Sequence, residues 1–196
     1  MVSLLILIAI VLISAAGLAR PALIERAVLR PYLIAQGTGY ARLVSSGFVH
    51  ADVGHLLFNL ITFFSFAFPL ERVIGSARML VLYFSGLLVS GLGTCFQHRN
   101  EPGYASLGAS GAILAVLFAS ILYFPNQRLY VLPIPLPIPA PLFALLYLAF
   151  TWYSARNSRG RINHDAHLFG ALTGIVFVAV TDPRRIAALM RLINPG

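Results

Sequence analysis

The residues of this chain that could together make or break a covalent bond are Ser110, in Gly108-Ala109-Ser110-Gly111, and His167, fifty-seven positions downstream. A hydroxyl beside an imidazole is the smallest nucleophile-and-base pair, and its chemistry is acyl transfer. Ser110 stands in Tyr104–Phe124, where nearly every other residue is apolar or small, and His167 opens the last apolar segment, Leu168–Val180. Groups that hydrogen-bond are expensive inside a membrane and mark function there. Two more, His55 and Asn59, are four apart and so share one helix face, with His50 just ahead of them near the membrane surface. A Gly-x-Ser-Gly in an apolar run is as often helix packing, and one membrane histidine can simply tie two helices together. Four such residues in one chain point to a lined polar site.

The scaffold that must hold them follows from composition. Of 196 residues, 59% are hydrophobic and only 10% charged, with a mean hydropathy of +0.84. Soluble domains carry about 25% charged residues. The chain therefore reads as a multi-spanning membrane protein, expected to form one domain over residues 1–196. All fourteen basic positions are arginine, and the net charge is +8. Scattered between apolar segments, these arginines suit anionic lipid headgroups and not nucleic acid. The single cysteine, Cys95, lies in an apolar run and reads as packing.

Six apolar segments are expected as helices, at about 2–19, 53–74, 77–97, 108–124, 138–154 and 165–182. The first lacks the basic start of a signal peptide and is read as a retained helix. The long connection Arg20–Asp52 carries Pro21 at a helix start. Leu23, Ile24, Ala27 and Val28 then follow at helical spacing, opposite Glu25, Arg26 and Arg30. That pattern predicts a short interfacial helix. Glu71-Arg72 closes the second span as an ion pair or cap, before a turn at Gly75 and Ser76. Gly108 and Gly111 predict that the chain dips into the membrane as a loop before the fourth helix begins, which requires surrounding protein or a cavity. Prolines at 133, 135, 137, 139 and 141 predict an extended connector. The fifth span carries Trp152 and Tyr153 as an interfacial anchor. A polar loop with Arg156, Arg159 and Arg161 follows it, and Pro183–Gly196 reads as a cytoplasmic anchor.

Small residues say how the pair could meet. Gly108, Gly111, Ala115 and Ala119 form a stripe on the serine's segment. Gly170 and Gly174 lie three and seven residues after His167, on its own face. Two helices meeting through such positions approach closely, bringing hydroxyl and imidazole within hydrogen-bond reach. The Ser110 amide, near a helix start, with His55 and Asn59, could supply the donors of an oxyanion hole. Asp165 is two residues from His167, on roughly the opposite side, so the pair is expected to be a dyad.

Taken in order, His50-Ala51-Asp52-Val53-Gly54-His55-Leu56-Leu57-Phe58-Asn59, then Glu71-Arg72, Gly108-Ala109-Ser110-Gly111 and Ala166-His167-Leu168-Phe169-Gly170 resemble the rhomboid family of intramembrane serine proteases. The resemblance runs from about Tyr40 to Gly174. It implies an all-α, six-transmembrane-helix bundle with a long, membrane-associated first loop. It implies Ser110 as nucleophile and His167 as base, with His55, Asn59, Gly108 and the Ser110 amide at the oxyanion. Arg42, His50, Glu71, Arg72, Gly111, Gly170 and Gly174 would be structural motif positions, and the fifth helix a substrate gate. Transmembrane proteins would be the substrates and membrane lipids the neighbours, with no metal and no cofactor. Two positions depart from the family pattern: Ala41-Arg42 stands where Trp-Arg is frequent, and Leu114 where an aromatic residue stacks on the histidine.

The expected location is a bacterial plasma membrane. The family's orientation places Arg20, Arg26, Arg30, Arg42, Arg99, Arg156, Arg159 and Arg161 outside. Inside it leaves Arg72, Arg78, Arg128, Arg184, Arg185 and Arg191, opposite in sign to the positive-inside rule. The rival functions are a catalytically inactive rhomboid-like protein that binds membrane-protein clients, and a small transporter. No inverted repeat supports the transporter.

Overall fold

A computed structural model describes residues 1–131, 136–157 and 162–193. Of the positions singled out above, Pro133, Pro135, Arg159, Arg161 and the last residues of the tail lie outside them. Helix α1 spans Val2–Ala19. The first loop holds three short helices, α2 (Pro21–Ala27), α3 (Pro31–Ala35) and α4 (Arg42–Ser45), and a 3-10 turn at Ser46–Phe48. Then come α5 (Val53–Ile74), α6 (Ser76–His98) and α7 (Ser110–Tyr123), a two-stranded ribbon of β1 (Arg128–Tyr130) and β2 (Pro137–Pro139), α8 (Ala140–Asn157), α9 (His164–Thr181) and α10 (Pro183–Ile193).

Four of these, α1, α5, α6 and α9, are long and apolar enough to cross a membrane. α8 has the length but ends on Arg156 and Asn157, and α7 has only 14 residues. The protein is a helical membrane bundle, and α7 is its centre. Every residue from Gly111 to Tyr123 is buried, against α5, α6, α8 and α9. Helices in lipid gain nothing from hiding apolar surface, so close contact must hold them. Glycine supplies it here. A Cβ at Gly170 would overlap the carbonyl oxygen of Gly111, and one at Gly174 that of Ala115. On the other side of α7, a Cβ at Gly86 would meet Ala115.

Three expectations change in detail. The interfacial helix of the first loop stops at Ala27, because Pro31 begins another and Arg30 before it is extended. The Arg42 guanidinium holds this loop together, donating to the carbonyls of Glu25 (3.0 Å) and Val28 (2.7 Å). Its anchoring therefore works with Ala41 alongside. Where described, the proline-rich connector is extended as expected at Pro137 and Pro139, but it is paired: Leu129 faces Ile138 across the β1–β2 ribbon, and α8, with Pro141 in its first turn, begins at Ala140. Alternating prolines are tolerated in such an edge ribbon. The tail is helical where described, with Arg185 over the ring of Tyr123 at 4.8 Å.

Glu71 and Arg72 do not pair with each other among the described residues. The buried Glu71 carboxylate instead accepts the backbone N–H groups of Val2 (2.6 Å) and Ser3 (2.9 Å) and the Ser76 hydroxyl. It caps α1, the helix beside it, where free N–H groups and the positive end of the helix dipole favour an anion. Arg72 is exposed.

Candidate active site

Ser110 is the first residue of α7, so its N–H is among the four that a helix start leaves without an intrahelical partner. The chain enters through Gly108, whose φ of +114° lies in the left-handed region, with its N–H donating to Ser46 O at 2.9 Å. A side chain there would also collide with His55: a Cβ would lie 2.6 Å from Cε1 and 2.8 Å from Nε2. A loop thus leads into the fourth helix, as expected, and only glycine fits at position 108.

His167 sits one turn into α9, with Nε2 3.0 Å from Ser110 Oγ. The spacing comes from Gly170 and Gly174, which let α9 rest on the α7 backbone. Asn163 fixes the start of α9. Its Oδ1 accepts the Ala166 N–H (2.9 Å), while Nδ2 donates to Thr94 Oγ1 (2.9 Å) and Ser106 Oγ (2.8 Å). The sequence reading passed over this residue, although an Asn just before a helix is a capping signal. It also passed over Tyr147 of α8, whose hydroxyl is 3.0 Å from His167 Nδ1. Asp165 faces away, as expected: its Oδ2 is 3.0 Å from His98 Nε2.

His55 and Asn59 do lie together beside Gly108, with Asn59 Nδ2 3.8 Å from where its Cβ would be. His50 is fully buried between α1, α5 and the chain entering α7. Asn59 Nδ2 donates to its Nε2 (2.9 Å), and the Ala109 N–H points at the same atom (3.4 Å). With Nε2 accepting, the ring hydrogen is on Nδ1. It donates to Ser14 Oγ (2.8 Å), whose hydroxyl donates to Phe48 O (2.8 Å). A buried imidazole needs partners for both nitrogens, and α1 was the element not visible as one of them. One Asn59 hydrogen is taken by His50 and the other stays available.

That network accepts only the neutral ring. Burial, and then the neighbouring His55, push His50 down to about 4. An unfolded chain protonates it near 6.5, so the folded state binds fewer protons between those values. Its contribution to stability is complete above about 6.5 and is lost as pH falls toward 4. The unfolding temperature should therefore drop across this range, and His50→Gln should flatten the drop. Equal slopes for both chains in a detergent melt would show that His50 does not carry it.

Behind Ser110 is a cavity of about 30 Å³, lined by Ser46, Ser90, Thr94, Ser106 and Asn163. Its lining mixes these polar groups with Leu29, Leu87 and Leu107, and it has room for a water or two. A hydroxyl, an imidazole, amide N–H groups and room for a water therefore occur within one small region. Among the described residues, no group of three or more His, Cys, Asp or Glu is placed to hold a metal ion.

Comparison with known proteins gives the family. The Rhomboid domain family matches residues 37–184. YdcA of Bacillus subtilis, named as a candidate rhomboid protease, is 34% identical over 149 residues, covering 74% of this chain and 69% of its own. The human presenilin-associated rhomboid-like protein, mitochondrial, is 30% identical over 146 residues, covering 69% of this chain and 36% of its own. Rhomboid protein 1, mitochondrial, of Saccharomyces cerevisiae is 26% identical over 155 residues, or 76% and 45%. The chain spans less than half the length of these two mitochondrial relatives. A match that takes in the buried His50, the glycine-bounded Ser110 and the His167 helix places this integral membrane protein in the rhomboid family.

Proposed function

We propose that the protein is an intramembrane serine endopeptidase, hydrolysing peptide bonds in or near the transmembrane segments of other membrane proteins. One domain of six spans would carry the site. The observation that supports this best is the 3.0 Å contact between His167 Nε2 and Ser110 Oγ at the start of a buried helix. Ser110 Oγ attacks the scissile carbonyl carbon as its proton passes to Nε2. The carbonyl oxygen becomes an oxyanion, held by the Ser110 N–H, the free Asn59 hydrogen and the His55 ring. The C–N bond then breaks, the leaving amine takes the proton from His167, and an acyl ester remains on Ser110. A water gives its proton to Nε2 and attacks that ester, releasing the carboxylic acid and restoring the serine. The cavity behind Ser110 is the store from which that water comes.

A fluorophosphonate probe tests the reading. Labelling of the wild-type chain, lost in Ser110→Ala, is the expected result; an unlabelled wild type in an intact fold counts against it. The donors have their own test. His55→Ala or Asn59→Ala should slow turnover by ~10-fold or more. Asn59→Ala should also lower the unfolding temperature, because it leaves His50 Nε2 short of a donor. Unchanged turnover in both variants would remove them from the oxyanion site.

The proposed location is a bacterial plasma membrane, supported by the likeness to YdcA. Fractionation of the native host, with mitochondria as the competing outcome, decides it.

A further inference from the structure

A base needs its second nitrogen accounted for. To take a proton at Nε2, neutral His167 must carry its hydrogen on Nδ1, and a half-buried N–H needs an acceptor. Among the described residues no carboxylate meets it, since Asp165 is engaged by His98. The acceptor in place is the Tyr147 hydroxyl oxygen of α8, 3.0 Å from Nδ1. The Tyr147 and His167 rings are close to parallel (23°), with centroids 6.4 Å apart. Tyr147 is itself held by Phe143, one turn back on α8 (5.5 Å), and by Phe118 of α7 (5.9 Å).

We propose that Tyr147 is a positioning residue of this site, fixing His167 in the Nδ1–H tautomer and aiming Nε2 at Ser110. This rests on the serine hydrolase reading above. It turns the expected dyad into a hydrogen-bonded chain of three residues from α7, α9 and α8. A carboxylate does this work in soluble serine proteases. A phenol is neutral, so it avoids the cost of burying a charge at membrane depth. It also leaves Leu114 free to be aliphatic, because the aromatic neighbour of the histidine comes from another helix.

The test uses the full chain reconstituted in lipid, comparing wild type with Tyr147→Phe, which keeps the ring and its packing but loses the oxygen. The first measurement is nitrogen-15 NMR of the histidines, with His167→Ala assigning the His167 signals. The expected spectrum has the hydrogen on Nδ1 in wild type and a mixture of tautomers in Tyr147→Phe. The second measurement is turnover of a transmembrane substrate. Here kcat should fall about 5- to 10-fold in Tyr147→Phe with KM unchanged, the effect of one neutral hydrogen bond. Fluorophosphonate labelling of Ser110 should slow in parallel. A Tyr147→Phe chain with wild-type tautomer, kcat and labelling overturns the role of Tyr147 and leaves the hydrolase reading standing. A wild type that neither cleaves nor labels overturns the hydrolase reading, and this role with it.

Discussion

Ser110→Ala and His167→Ala are each expected to abolish cleavage of a reconstituted transmembrane substrate, and the double variant to be no worse than either. Residues that act as one unit lose nearly everything when one is removed, on the order of 10⁴–10⁶-fold in kcat. In the proposed mechanism the 3.0 Å contact between them joins them as such a unit. Neither change should unfold the protein, since both side chains sit at the edge of the packed α7–α9 contact and not inside it. Ser110→Ala protein that still cleaves, in a preparation free of host proteases, would end the reading. Asp165→Asn is the informative control. Its carboxylate is engaged by His98, which also stacks on Tyr104 at 3.6 Å, so it touches the loop and not His167. Turnover should change little.

The second large effect is expected from Gly170→Leu. No rotamer helps, because the first side-chain carbon already overlaps the Gly111 carbonyl oxygen. Overfilling a packed core costs about 1–3 kcal/mol when side chains can move aside. Backbone cannot move aside without lifting α9 from α7. The unfolding temperature and turnover should fall together, and Gly174→Leu should do the same through Ala115. A melt and a cleavage assay on each variant decide it. If both stay at wild-type values, the glycines do not set the distance between Ser110 and His167.

Much of this was legible in the chain because membrane proteins write their helices as long apolar runs. Helices α1, α5 and α6 begin and end within about a residue of where hydropathy placed them. The small-residue stripes likewise carried the α7–α9 contact at Gly111, Ala115, Gly170 and Gly174, since small residues let backbones approach, whereas Gly108 lies ahead of α7 and faces His55. What stayed hidden was partnership at a distance. Nothing around His50 shows that Ser14, on the first helix, would accept its Nδ1 hydrogen. Nor does the text around Glu71 show that it would cap α1 and not pair with Arg72. A lone buried polar group states a need, and only the fold says who meets it. Tyr147 was hidden for the opposite reason: an aromatic residue in an apolar helix looks like anchoring or packing, and its hydroxyl becomes informative only once His167 is beside it.

The burial of α7 has a consequence for how the protein lives in different membranes. Fourteen residues reach about 21 Å, well short of a hydrocarbon core of about 30 Å. A lipid-facing helix that short would thin the bilayer around it or tilt. α7 has no lipid-facing side, because its neighbours enclose it from Gly111 to Tyr123. The mismatch is taken up inside the protein, by the loop that enters through Gly108. The depth of Ser110 is therefore set by contacts with α5, α6 and α9 and not by the thickness of the surrounding lipid. A thicker or thinner bilayer acts first on the membrane-crossing helices, α9 with His167 among them, and reaches Ser110 only through their contacts with α7.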